Sequence, residues 1–226
     1  MNSAATNLNH DYDSIARFYD WAAGWTLMPA RREIAEFAVK SGARNVLDIG
    51  CGTGLQLCEL SGHGLRAVGL DNSPAMLAVA RRRIAMLPKE QQSKLRLELL
   101  SALESGSLGT SFDLAIISLV LHESDDEPFN ILDSAFRLAS RVFILDWGMP
   151  ERNLDYLMHM ATHGIERLAG KRHYKAYKDY LNKGALEGLL QRYKLYRANS
   201  GQLRVKIVGR KHMALNTMLF MDMTVE

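Results

Sequence analysis

The chain has 226 residues, 47% of them hydrophobic and 23% charged, which fits one globular domain that buries its core without disulfides and excludes collagen-like, disordered and disulfide-scaffold classes. Its two cysteines, Cys51 and Cys58, point to a reducing compartment, and no run of about 18 apolar residues spans a membrane. The polar segment 1–10 lacks the basic and apolar regions of a secretory signal, so the expectation is a cytoplasmic protein with at most peripheral membrane contact.

From residue 45 onward, short apolar runs alternate with longer amphipathic ones. Residues 45–49 read as a buried strand, followed by the glycine turn 50–54 and a helix to about 61. A second strand at 65–70 leads into a helix at 73–87, with Ser73 as N-cap and Pro74 in the first helical position. A third strand is predicted at 95–99, a fourth, almost continuously apolar, at 112–118, a helix at 126–139 and a fifth strand at 142–146. Strands separated by helices make βαβ units, a parallel sheet and a doubly wound α/β fold. The rhythm breaks after Pro150, where 151–190 carry only helical patterning through Leu154, Leu157, Met158, Ala161, Ile165 and Leu168. Residues 193–198 read as a strand or a helix end. The stretches 205–208 and 213–220, separated by Gly209-Arg210-Lys211, read as a terminal antiparallel hairpin. The chain thus divides into an N-terminal helical cap (1–40), a ligand-binding core (41–146), a helical lid (147–192) and terminal strands (193–226).

The segment Val46-Leu47-Asp48-Ile49-Gly50-Cys51-Gly52-Thr53-Gly54 lets the backbone turn sharply at a strand end and approach a ligand closely. Its Gly-x-Gly-x-Gly spacing differs from the dinucleotide fingerprint, which argues against a nicotinamide dehydrogenase, and no Gly-Lys-Ser/Thr follows to cradle a phosphate. Asp48 adds a carboxylate that would repel a diphosphate and suits a cationic ligand. Asp71 closes the second strand 17 residues after Gly54, where an acid accepts hydrogen bonds from ribose hydroxyls. Each feature alone is a common connector; in this order they imply an adenosine-type ligand.

These segments, with Phe112-Asp113-Leu114 and the fifth strand, resemble class I S-adenosylmethionine-dependent methyltransferases. The opening Tyr12-Asp13-Ser14-Ile15-Ala16-Arg17-Phe18-Tyr19-Asp20 is similar to that of small-molecule members of the ubiquinone/menaquinone type. The resemblance implies a seven-stranded Rossmann-like sheet in the order 3-2-1-4-5-7-6, with S-adenosylmethionine as cofactor and S-adenosylhomocysteine as product. It implies that Asp48, Gly50 and Gly52 surround the methionine moiety and that Asp71 binds the ribose. Cys51, Gly54, Asn72, Met76, Ala102 and Ser118 complete the expected cofactor shell. Tyr12 and Tyr19 either cover the sulfonium or staple an N-terminal helix. Where the family often carries an Asp for the adenine amino group, this chain has Leu100-Ser101-Ala102-Leu103, leaving the Ser101 hydroxyl and the Leu103 backbone for that contact.

Methyl transfer from a sulfonium needs alignment of two reactants and a base only when the acceptor arrives protonated. His122, just beyond the fourth strand, is the candidate base, or a histidine lining the pocket. Glu123 is expected to face solvent with Asp125, Asp126 and Glu127. The loop lacks the Pro-Pro-aromatic signature of amino-group methylation on bases, and the histidines are scattered without ligand spacing, so no metal site is expected. Residues 147–192 build an acceptor pocket, with His173 and Tyr177 as contacts to an aromatic, quinone-like or lipid-like small molecule, or else pack an apolar face with solvated Lys171, Arg172, Lys175 and Lys178. The alternatives are a nucleic-acid methyltransferase, favoured by the basic C-terminal part, and a non-catalytic cofactor-binding protein. The net charge of +3 hides an asymmetry: residues 1–150 carry 14 Lys and Arg against 18 Asp and Glu, residues 151–226 carry 14 against 7. The basic part attracts an anionic acceptor, an anionic membrane surface or RNA, or is a solvated face.

Overall fold

A computed structural model describes residues 27–124, 128–151, 153–168, 170–213 and 217–225. Most of the expected N-terminal cap, with Tyr12 and Tyr19, lies outside the described residues, as do Asp125, Asp126 and Glu127. Residues 27–40 are helical (α1) and bury Leu27, Ala30, Ile34 and Ala38, one face at helical spacing. Strand β1 (Asn45–Ile49), α2 (Leu55–Gly62), β2 (Arg66–Asp71), α3 (Pro74–Ala85), the single turn α4 (Lys89–Gln92) and β3 (Leu95–Leu99) follow in order. A 3-10 segment, Ala102–Leu108, leads to β4 (Leu114–Ser118), and a 3-10 turn, Leu121–Glu123, leads to α5 (Pro128–Leu138) and β5 (Arg141–Trp147). Three helices, α6 (Asn153–Leu168), α7 (Lys171–Asn182) and α8 (Ala185–Asn199), precede β6 (Val205–Met213) and β7 (Met218–Val225).

The seven strands form one sheet in the order β3-β2-β1-β4-β5-β7-β6, the order the resemblance implied. β1, β2 and β3 pair in parallel, as do β4 and β5, while β7 runs antiparallel to both β5 and β6. Strands β4 and β5 are buried on both faces over nearly their whole length, which is why the fourth strand read as almost continuously apolar. No helix among the described residues is long and apolar enough to cross a membrane.

The chain divides into two compact parts, 1–114 and 115–226. In the first, β1 starts on the carboxylate of Asp113, which accepts from the N–H groups of Arg44 at 2.8 Å and Asn45 at 2.9 Å. Those two donors hold the Asp113 carboxyl below its usual range. α3 begins as expected: the Ser73 hydroxyl accepts from the Met76 N–H at 3.3 Å, and Pro74 is the first helical residue.

In the second part the structure decides one open reading and corrects one expectation. Residues 193–198 are helical, because α8 runs unbroken to Asn199 and buries Tyr193 and Arg197 on one face. The terminal strands therefore begin at Val205. Gly209-Arg210-Lys211 is not the hairpin loop but the middle of β6, which continues to Met213. The register slips between Ile207 and Gly209, and a Cβ at Gly209 would stand 3.2 Å from the Asp222 Cβ. That glycine answers a close approach of two strands, where Arg141 of β5 also holds the Asp222 carboxylate through two nitrogens.

A second close approach generates a prediction. A Cβ at Gly69 in β2 would lie 2.6 Å from Leu57 Cδ1 and 2.8 Å from Cys51 Sγ. Gly69→Ala is expected to cost about 1–3 kcal/mol through overpacking, seen as a lower urea midpoint at unchanged slope. An unchanged midpoint would mean that α2 yields freely.

Candidate functional site

Residues 27–114 carry the glycine turn. Gly50, Gly52 and Gly54 have φ of 72°, 52° and 79°, a region L side chains rarely enter. The turn is tied to β2 from two directions: the N–H groups of Gly50 and Cys51 both donate to Leu70 O at 2.8 Å. The Asp71 carboxylate accepts from Gly52 N–H through Oδ2 and from Ser73 N–H through Oδ1, each at 2.8 Å. Gly54 packs on α3, where a Cβ would be 3.0 Å from the Ala80 Cβ, whereas a Cβ at Gly52 would meet nothing within 4 Å. The turn is thus pinned at its ends and open at its centre.

Asp48 ends inside this turn with 1% of its surface exposed, and its Oδ2 has no hydrogen-bond partner. Burial first, then the charge of Asp71, pushes its pKa up to about 7 against the opposing charge of Arg31. The thiol of Cys51 is raised by burial and by Asp48 and Asp71, and that of Cys58 by burial. Neither is an activated nucleophile. Of the remaining expected cofactor residues, Asn72 is exposed and Met76 half-buried. Ser101 caps the 3-10 segment: its hydroxyl donates to Glu104 Oε2 at 2.9 Å and accepts from Glu104 N–H at 3.3 Å. Its hydroxyl hydrogen is therefore already committed, while Ala102 is half-buried and Leu103 exposed beside it.

Residues 115–226 carry a second, separate cluster. Ser118 ends β4 half-buried, and Leu119 follows at φ 59°, a strained position for a residue with a side chain. His122 lies just beyond in the 3-10 turn, wholly buried. Asp146 of β5 organises that turn. Its Oδ2 accepts from the N–H groups of Leu121 (2.9 Å) and His122 (3.3 Å), and its Oδ1 takes Trp147 N–H (2.8 Å) and meets His122 Nδ1 (2.7 Å). The opposite nitrogen, Nε2, has no hydrogen-bond partner and stands 3.8 Å from both Glu123 Oε1 and Glu166 Oε2. Burial depresses the imidazole's pKa, but Asp146, Glu166 and Glu123 outweigh it and hold it up at about 10. The three surrounding acids thus favour a cation at His122, a proton where nothing else is bound.

Glu166 of α6 accepts from Trp147 Nε1 at 3.0 Å and pairs with His173 Nε2 of α7. Burial raises its carboxyl, but His122, His173 and Trp147 prevail and keep it low. His173 thus joins the cluster around His122, with ring centroids 5.6 Å apart. Tyr177 is also brought there, its ring 6.2 Å from that of His122, but it is fully buried and its hydroxyl is bonded to Thr162 Oγ1 at 3.0 Å. Burial first raises its pKa to about 12. Glu123 does not point wholly to solvent as expected; its side chain is 26% exposed and turns towards both histidines. Asp146, Glu166 and Trp147 escaped the sequence reading. An acid closing an apolar strand marked Asp146; nothing in the helical pattern distinguished Glu166 from a surface acid.

Residues 47–141 match the family described as a methyltransferase domain. The ubiquinone biosynthesis O-methyltransferase of Coxiella burnetii (strain Dugway 5J108-111) is 31% identical over 84 residues, covering 32% of this chain and 36% of the relative. The chain thus spans about a third of the length of the curated relatives it matches. The mitomycin 7-O-methyltransferase structure superposes with a TM-score of 0.70 at 18% identity, covering 97% of this chain and 60% of that one. The magnesium protoporphyrin IX methyltransferase of Synechocystis PCC 6803, solved with SAH bound, gives a TM-score of 0.60 at 17% identity over 88% of this chain and 83% of that one. Fold and sheet order define a class I methyltransferase fold. The family match covers the first five strands of that sheet, from within β1 to the start of β5.

Asp48 makes stability depend on pH in a definite sense. Its carboxyl titrates near 7 when folded and near 3.9 when unfolded, so the cost of ionising it in the core is absent below the lower value and complete above the upper. Asp48→Asn removes that cost, with a ceiling of about 4 kcal/mol at about 1.4 kcal/mol per pH unit. The variant is expected to melt several degrees above the parent at pH 8 and level with it at pH 4. A gain of equal size at both pH values would show that Asp48 is not the group responsible.

Proposed function

We propose that the protein transfers a methyl group from S-adenosylmethionine to a small-molecule acceptor. The observation that carries this reading is the pair of acids at the glycine turn. Asp48 holds a buried oxygen with no hydrogen-bond partner, which suits a cationic group. The Asp71 carboxylate is held at the end of β2 by the N–H groups of Gly52 and Ser73, each at 2.8 Å, the place where an acid of a doubly wound sheet meets a ribose diol. The open face of Gly52 gives the backbone room for a ligand. When bound, S-adenosylmethionine supplies an activated methyl group on a positively charged sulfonium and leaves as S-adenosylhomocysteine. The chain's own part is to bind and orient: Asp48 attracts the cationic methionine end, Asp71 fixes the ribose, and the glycine turn lets the backbone approach the ligand closely.

The acceptor side belongs to residues 115–226. A groove of about 670 Å³ there is lined by His122, Phe129, Tyr180 and Tyr196, with Lys183 and Arg192 beside them. Aromatic walls with two cations favour a flat acceptor carrying negative charge. The O-methyltransferase activity named for the Coxiella relative supports an oxygen as the accepting atom.

Calorimetry with S-adenosylhomocysteine tests the cofactor assignment. Asp71→Ala is expected to weaken binding at least about tenfold, the loss of hydrogen bonds to a charged acceptor being worth about 1.5–3 kcal/mol. Equal affinity in parent and variant would overturn the ribose assignment. Incubation with methyl-labelled cofactor and a pool of phenolic acids should then label a small molecule. Binding without labelling of any acceptor would leave a cofactor-binding protein without transfer activity.

A further inference from the structure

His122 and His173 approach one point from different elements, with ring planes 87° apart. Each imidazole is fixed through one nitrogen by a buried carboxylate: His122 Nδ1 on Asp146 and His173 Nε2 on Glu166. When a metal displaces the proton of the outward nitrogen, the carboxylate on the other nitrogen fixes the remaining N–H and the ring orientation, the arrangement found behind metal-bound histidines. The two outward nitrogens both face Glu123: Oε1 lies 3.8 Å from His122 Nε2, and Oε2 lies 3.9 Å from His173 Nδ1. His122 Nε2 is completely buried without a hydrogen-bond partner, a polar atom that an occupant of the space before it would satisfy. One donor atom from each of His122, Glu123 and His173 lies within 4.8 Å of the others. Bonds of about 2.0–2.1 Å in a tetrahedral shell set donors roughly 3.4 Å apart. The set therefore closes on an ion by a shift of about an ångström, which the partly exposed Glu123 side chain can supply.

We propose that His122 Nε2, His173 Nδ1 and the Glu123 carboxylate bind a divalent first-row transition cation, with Asp146 and Glu166 as the outer carboxylates that orient the two imidazoles. Two imidazoles and one carboxylate suit Zn²⁺, Co²⁺ or Mn²⁺ better than the all-oxygen shells of Ca²⁺ and Mg²⁺. Three protein ligands leave a coordination position open, and an oxygen bound there becomes more acidic. The site is argued from residues 115–226 alone and stands apart from the cofactor reading.

The test uses the untagged full chain, stripped by chelator and dialysed, then titrated with Zn²⁺, Co²⁺ and Mn²⁺ separately by calorimetry. The visible spectrum of the Co²⁺ sample reports the ligand shell. The expected result is one ion per chain, with affinity reduced at least about tenfold by His173→Ala and by Glu123→Gln, the latter nearly isosteric and checked for folding by circular dichroism. His63→Ala, at an exposed helix end in the other part of the chain, is expected to change nothing. No saturable binding of any of the three ions would overturn the site and leave a proton as the cation between these acids. Binding that survives both substitutions would overturn it as well. S-adenosylhomocysteine affinity measured on the same samples separates this outcome from a failure of the cofactor assignment.

Discussion

A carboxylate taken out of water must be met by donors or positive charge, or it gives up its ionisation. Asp146 is fully buried near the end of β5 and meets that demand with three backbone N–H groups and an imidazole nitrogen. The consequences spread outward. Because Leu121 and His122 donate their N–H groups to it, the chain leaving β4 is held in a 3-10 turn, and the strained Leu119 is tolerated next to it. Because His122 Nδ1 is held, Nε2 is aimed at Glu123 and Glu166. Trp147, whose N–H completes the Asp146 shell, reaches Glu166 with its indole. One buried acid thus positions a strand end, a turn and the packing of α6.

The glycine turn solves a related problem in the opposite way. Asp71 is satisfied by two backbone N–H groups and remains half-buried, while Asp48 stays buried with an oxygen unmet and its carboxyl titrating about where a buried acid's would. On the cofactor reading proposed above, the turn carries that cost because the same carboxylate would meet a cationic ligand. The Asp48→Asn change is the simplest statement of the conflict: what relieves the fold removes the charge the site offers. Binding sites are often locally unstable for this reason.

The sheet and the turn were legible because their causes are local. Glycines at φ near 50–80°, an acid at a strand end and unbroken apolar runs are each visible within a few residues. The imidazole–carboxylate cluster was not, because positions 122, 146, 166 and 173 lie on four elements, and no spacing in the chain brings them together. Gly209 misled for the converse reason. A glycine inside an apolar alternation reads as a turn, yet here it lets β6 pass close to Asp222. Residues 193–198 allowed a strand or a helix end; the helix prevails, with Tyr193 and Arg197 one turn apart and sharing a hydrogen bond of 3.2 Å.

The basic charge of residues 151–226 takes on a different meaning beside this geometry. On α7, Lys171, Lys175 and Lys178 are exposed, while His173, Tyr177 and Tyr180, at i, i+4 and i+7, face the cluster. The positive charge that the composition assigns to this part therefore lies on the outer face of the helix, and the inner face meets acids. Net charge and site charge have opposite signs in the same dozen residues. An anion drawn by the lysines meets carboxylates if it follows α7 inward, so long-range attraction and local chemistry select different ligands. The exposed face governs encounter and solubility. The buried face, with Asp146, Glu166 and Glu123 around two imidazoles, calls for a cation.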